Sequence, residues 1–278
     1  MNIGIRLHDT LPGSLSQRLA YAKAQGFSCA HLALQKALDD FAMADAPKKL
    51  TKDFAEEVKQ AFRAQGMECA VLGCYLNLAD PDAESRARTQ EIYRSHLRFA
   101  RMMGVRVVGT ETPANPASVF SSPARESEDA FRLVMDSLKT VARFAEEEDA
   151  ILAVEPVYTH IVSTPERAER MLSQLHSDHV KIILDAVNLL APENVEHADD
   201  VIAEAIRRFG DQVMILHMKD YELLPGKIRS IACGTGVMHY DRLLSFGKRR
   251  DLPMTLEDTR PDNAEAARLY LEKIGERL

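Results

Sequence analysis

Four short apolar runs in the second half of the chain each end on a side chain able to bind a metal: ILAV before Glu155, IIL before Asp185, VMIL before His217 and MTL before Glu257. Three carboxylates and one imidazole make a mainly hard donor set. Such a set suits a single divalent ion, Mn²⁺ or Mg²⁺ first, with Co²⁺ or Zn²⁺ also accommodated. Any one of the four has a plainer reading as a helix cap or a solvated rim group. Their recurrence after four successive strand-like runs favours a shared metal site.

A short run rich in β-branched residues and bounded by polar sequence reads as a buried parallel strand. The spacings between the four residues, 30, 32 and 40, each accommodate one strand-helix unit. Runs of the same kind recur at residues 3–7, 29–34, 68–72 and 105–110, which makes eight in all. Amphipathic stretches lie between them, at 14–25, 51–65, 83–103, 125–149, 165–176, 195–209 and 263–277. Helix-start signals stand at Asp80-Pro81-Asp82, Ser163-Thr164-Pro165 and Pro261-Asp262-Asn263, and Gly26, Gly66, Gly104 and Gly210 are expected to close helices. Eight alternating units with right-handed crossovers predict an α/β fold, a (β/α)8 TIM barrel forming one domain over residues 1–278. Consecutive strand ends then face one mouth, which is where the four metal-capable residues would meet. The longest irregular stretch, from Lys219 to about Met238, follows the seventh strand and is expected to form a pocket wall or mobile lid.

Composition narrows the partners. Net charge is −7 with both signs interspersed, and the one compact basic cluster is Lys248-Arg249-Arg250, so no nucleic-acid footprint is expected. No run approaches the roughly 18 apolar residues a membrane helix needs, and MNIGIRLHDT does not read as a leader. A soluble cytoplasmic protein is the expectation. Cys29, Cys69, Cys74 and Cys233 form no CxxC pair and read as reduced core thiols.

The strand-end residues sit in recognisable motifs: Glu155-Pro156, Leu184 to Asn188 as LDxxN, His217 to Asp220 as HxKD, Gly234 to Gly236 as GxG, and Leu256-Glu257. With these the chain resembles the xylose isomerase-like barrels of the sugar phosphate isomerase/epimerase group, related to the endonuclease IV fold (AP endonuclease family 2), over essentially its whole length. The resemblance implies a metal held by Glu155, Asp185, His217 and Glu257, with Glu155 and Glu257 also exchanging a proton on opposite faces of the reacting carbon. A cation polarising a carbonyl beside such carboxylates would stabilise the enediolate formed on proton loss. Return of the proton to the other face is epimerisation, and return to the neighbouring carbon is isomerisation. A small sugar, sugar phosphate or polyol derivative is the substrate so implied. A dimer or tetramer is compatible with the group.

Departures from the pattern bear on substrate. Many epimerases of the group carry histidine where this chain has Asn188, glutamate where it has Ile161 and arginine where it has Leu223. His160 can replace one such contact as an acid/base or hydroxyl partner, and Glu111, Asn188 and Lys219 are further candidates for substrate binding. Asp220 is a candidate for orienting a neighbouring side chain. His8 and His31 read better as rim or core histidines, Gly234-Thr235-Gly236 as loop geometry, and Tyr75 and Tyr158 as packing or sugar-stacking surface. The segments LGCYLN and VVGTETP contain no histidine, which argues against a trinuclear phosphodiesterase. The reading is therefore a metal-dependent isomerase or epimerase. A lyase of the inosose dehydratase or 3-keto-glycoside-eliminating kind, or a non-catalytic sugar-binding barrel, stays open.

Overall fold

Burial on both faces is what the apolar runs require, and the architecture supplies it. The structure is a computed structural model describing residues 1–114 and 123–278. Seven strands, β1 (Ile3–Arg6), β2 (Cys29–Leu32), β3 (Glu68–Gly73), β4 (Val107–Glu111), β5 (Ile151–Glu155), β6 (Val180–Asp185) and β7 (Val213–Met218), pair in parallel in chain order. After an antiparallel hairpin, β8 (Asp220–Leu224) and β9 (Lys227–Ile231), the eighth barrel strand β10 (Met254–Leu256) pairs with both β7 and β1. The register Ile3↔Met254, Gly4↔Thr255, Ile5↔Leu256 closes the ring and makes one TIM-barrel domain.

Alternation along the strands divides the core in two. Val71, Val107, Ala153, Ile183 and Ile215, drawn from five adjacent strands, form a separate cluster that fills the lumen. Their neighbours in sequence, such as Leu72, Val108, Leu152, Ile182 and Leu216, join the larger core under the helices. Each fully buried aliphatic side chain of this kind stabilises the fold by roughly 1.5–3 kcal/mol. Helices start where the sequence signals them. Ser14 and Gln17 form a capping box, and Thr51, Asp82, Ser127 and Thr164 each accept from the backbone N–H three residues on. Gly26, Gly66 and Gly104 take positive φ, whereas Gly210 keeps helical dihedrals and begins a 3₁₀ turn, Gly210–Gln212.

The segment expected to be irregular, Lys219 to Met238, differs from that expectation. Its first half is the β8–β9 hairpin, turned by Pro225 and by Gly226 at φ 70°. The Asp220 carboxylate ties the base of the hairpin. It accepts from the backbone N–H of Tyr221 at 2.8 Å, Met238 at 2.9 Å, and Gly234 and Gly236 at 3.0 Å each. A Cβ at residue 236 would lie 2.1 Å from the Tyr221 carbonyl oxygen, so this approach requires glycine. The Gly234 and Gly236 amides of the turn are thus committed to Asp220, whose carboxylate organises the backbone at the root of the hairpin.

One polar group lies deep in the helical layer. His96, on the helix Ala83–Met103, is fully buried, bonds the Ile92 carbonyl through Nδ1 at 2.9 Å, and lies edge-on to Phe41. Burial lowers its pKa to about 4, only partly opposed by the Ile92 bond. The folded pKa is depressed below an unfolded value near 6.5, so the neutral ring's contribution is fully present above pH 6.5 and is lost as pH falls toward 4. His96→Met should remove about 3 kcal/mol of the stability loss between pH 7 and pH 4, measured by urea unfolding at each pH. Equal pH slopes for the two proteins would contradict this.

Candidate functional site

Every strand that ends on a polar group ends at the same rim. Glu111 and Glu155 are register partners on β4 and β5, Asp185 and His217 on β6 and β7, and Glu257 follows β10. Glu155, Asp185, His217 and Glu257 are all buried, at 1%, 1%, 1% and 6% exposure. Glu155 Oε2 and Glu257 Oε1 approach His217 Nδ1 at 3.0 and 3.1 Å. Ligand atoms of Glu155, Asp185 and His217 lie within 4.8 Å of one another. These contacts stand at ion-pair distance without hydrogen-bond directionality: both ring nitrogens of His217 and Asp185 Oδ2 lack a hydrogen-bond partner. Buried polar atoms of native proteins are nearly always bonded, so orphans converging on one point fit a cation ligand set.

Cations of the chain itself balance the cluster. Lys219 Nζ stands 2.9 Å from Asp185 and 3.4 Å from Glu257, and the Lys219 carbonyl accepts from the Tyr240 hydroxyl at 3.1 Å. Burial opposes charge on Lys219, but Asp185 and Glu257 raise its pKa above the usual lysine range. Arg6, at the end of β1, reaches Glu257 at 3.3 Å, Asp9 at 3.0 Å and Asp258 at 2.9 Å. Burial lowers the His217 pKa, yet Glu257 and Glu155 outweigh it and push the ring up to about 9. For Asp185 burial raises the carboxyl to about 6, with Lys219 opposing. Burial acts the same way on Glu257, where His217, Lys219 and Arg6 together hold it well below the usual carboxylate range.

The residues expected at substrate fall into two sets. Glu111 and His160 face each other on one side of the rim at 3.6 Å, Oε2 to Nδ1. Burial, then the charges of Glu155 and Glu257, push Glu111 up to about 8, while burial lowers His160. At neutral pH Glu111 therefore carries a proton it can donate. Asn188 and Lys219, by contrast, spend their polar groups on the cluster. Asn188 Nδ2 donates to Glu155 Oε1 at 2.5 Å and its backbone N–H to Asp185 Oδ1 at 3.0 Å, so it fixes two of the four residues at once.

One residue at the rim escaped sequence reasoning, and a second was given no part in the site. Arg6 was hidden in an apolar strand, although a charged side chain at the C-terminal end of IGIR is the available signal. His31 was read as a rim or core histidine, and its ring stacks on His217 with centroids 5.3 Å apart and planes 18° apart. Burial, then His217, hold its pKa well below the usual value. Tyr75 Oη lies 3.3 Å from His31 Nε2, and His8 lies edge-on to the same ring.

Residues 19–274 match the family described as xylose isomerase-like TIM barrel. A D-psicose 3-epimerase from Enterocloster bolteae is 28% identical over 155 residues, covering 54% of this chain and 49% of its own length; the chain thus spans about half of that relative. An L-ribulose-5-phosphate 3-epimerase UlaE from Escherichia fergusonii is 23% identical over 226 residues, covering 81% of this chain and 75% of its own. Among solved structures, the 3-keto-D-glucoside 4-epimerase YcjR from E. coli superposes with a TM-score of 0.75 at 18% identity, covering 98% of this chain and 99% of that one. A protein named IOLI, solved with a bound zinc atom, does so at 0.69 and 18% identity, covering 100% and 96%. Among the described residues no helix is long and apolar enough to cross a membrane.

The hairpin beside Lys219 depends on the Asp220 carboxylate. Asp220→Asn sets an amide N–H₂ against the N–H groups of Gly234 and Gly236 or of Tyr221 and Met238. Loss of charge-assisted bonds of this kind should lower local opening free energy over residues 221–236 by about 2 kcal/mol, read as faster hydrogen exchange there with the barrel strands unchanged. Equal protection in both proteins would sink the assignment.

Proposed function

Because the chain belongs to the xylose isomerase-like TIM-barrel family, we propose that it is a divalent-metal-dependent epimerase or isomerase of a small sugar, sugar phosphate or polyol derivative. One observation carries this reading: the buried convergence of Glu155, Asp185, His217 and Glu257 with ligand-capable atoms left without hydrogen bonds. The names of the two curated relatives, epimerases of a ketose and of a ketose phosphate, support the substrate class. Glu155, Asp185, His217 and Glu257 would hold the ion. When bound, it supplies positive charge that polarises a substrate carbonyl and favours negative charge on its oxygens.

The rest of the chemistry belongs to the chain. Glu155 and Glu257, from the fifth and eighth barrel strands, are assigned the proton transfers: one carboxylate takes the proton from the carbon next to the carbonyl and the other returns a proton to the opposite face. Asn188 fixes the Glu155 carboxylate through Oε1, and Arg6 with Lys219 fixes Glu257 through Oε2. Precise placement of both groups is what converts a weak base into an effective one. Glu111 and His160 are assigned to substrate hydroxyls, Glu111 as a donor while protonated.

Two experiments test the reading. Chelator-treated protein should take up about one divalent ion per chain by metal analysis, with stabilisation of about 2.7 kcal/mol at an ion concentration 100 times Kd. Asp185→Ala should lose that gain without unfolding. Three tightly held ions, or none after incubation with Mn²⁺, Mg²⁺, Co²⁺ and Zn²⁺, would count against it. In D₂O the enzyme should place deuterium at the reacting carbon, and Glu155→Gln and Glu257→Gln, with metal occupancy verified, should each slow that exchange at least ~100-fold. Wild-type exchange in both variants would remove the glutamates from the mechanism.

A further inference from the structure

The sequence places His31 inside an apolar strand, a position where an imidazole needs a reason. It is 1% exposed, and its Nδ1 has no hydrogen-bond partner. An unbonded buried polar nitrogen costs about 1–3 kcal/mol, so a fold that keeps one is expected to use it. Three local features aim the ring. The register between β2 and β3 shifts at Ala30/His31, a bulge of the kind that redirects a side chain next to a site. Gly73 at the end of β3 leaves the space the ring occupies, since a Cβ there would lie 2.6 Å from His31 Nε2. Tyr75 Oη then meets Nε2 at 3.3 Å.

The surroundings say what the nitrogen is for. One ligand atom each of His31, His217 and Glu257 lie within 4.8 Å of one another, and two of these residues belong to the quartet of the proposed function. A ligating histidine characteristically donates its second N–H to an oxygen, which fixes the tautomer and leaves a lone pair for the ion. Here the tautomer with hydrogen on Nε2 donates to Tyr75 Oη and leaves that lone pair on Nδ1.

We propose that His31 Nδ1 is an additional metal ligand, giving this chain a site with two imidazoles beside its carboxylates, and that Tyr75 positions it. The inference rests on the metal-dependent reading above. Its consequence is selectivity. Three carboxylates and one imidazole favour Mn²⁺ or Mg²⁺, whereas a second neutral nitrogen shifts preference toward Zn²⁺ and Co²⁺ and away from Mg²⁺.

Direct titration of wild type, His31→Gln and Tyr75→Phe with Zn²⁺, Co²⁺ and Mg²⁺ tests this without any substrate. In His31→Gln, Zn²⁺ and Co²⁺ affinity should fall at least about 10-fold while Mg²⁺ affinity changes less than about twofold, and the visible absorption of bound Co²⁺ should shift. Tyr75→Phe should weaken Zn²⁺ binding by a smaller factor in the same direction. If His31→Gln does not fold, as judged by circular dichroism, ¹⁵N spectra of the wild-type histidines decide: Zn²⁺ should move the His31 Nδ1 resonance as well as a His217 resonance. An unmoved His31 resonance, or an unchanged Zn²⁺ to Mg²⁺ affinity ratio in the variant, overturns the proposal while leaving the quartet intact. A wild-type protein that binds none of the three ions overturns the parent reading, and this one with it.

Discussion

Three carboxylates buried together repel one another in a medium that screens poorly; at an effective dielectric near 20, two unit charges ~4 Å apart interact by roughly 4 kcal/mol. The barrel mouth exists only because that repulsion is balanced. Lys219 stands between Asp185 and Glu257, His217 between Glu155 and Glu257, and Arg6 between Glu257, Asp9 and Asp258. Removing one member of such a network leaves an uncompensated buried charge, which is more damaging than the pair is stabilising. The lumen beneath it is apolar, so the ionised groups have no alternative seat lower in the barrel.

The same balance determines what the mouth can do. Held anions lacking hydrogen bonds accept a cation readily, and a carboxylate kept ionised by neighbouring cations is a weak base that gains effectiveness from fixed placement. Glu111, a few residues around the rim and lacking a cation of its own, goes the other way and retains its proton. One rim thus offers carboxyl groups in both protonation states near neutral pH, the condition general acid/base chemistry needs.

The barrel was legible because parallel strands buried on both faces must be continuous apolar runs, and all eight runs became strands. The quartet was legible for a related reason, since a polar residue at the end of such a run can only sit on the rim. The hairpin was not. DYELL and KIRSI are half-exposed and polar, and their stability comes from pairing with each other and from Asp220, none of which appears in local hydrophobicity. His31 was obscured by period: its place in the mouth depends on a register shift and on the missing side chain of Gly73, two strands' worth of geometry. Asn188 and Lys219 were read as candidates for substrate binding, and the sequence does not encode that carboxylates on neighbouring strands would engage them.

Asp220 gathers both ends of the hairpin at one carboxylate, and Ser230 alone pins its return strand to Asp258 beside Glu257. The tip, from Glu222 to Arg229, is held by neither bond. It is held instead by its own ladder, by the Arg229–Glu222 ion pair and by the packing of Ile228 on the core. A change of sequence at its exposed positions, such as Leu223, therefore leaves the clasp at its root untouched.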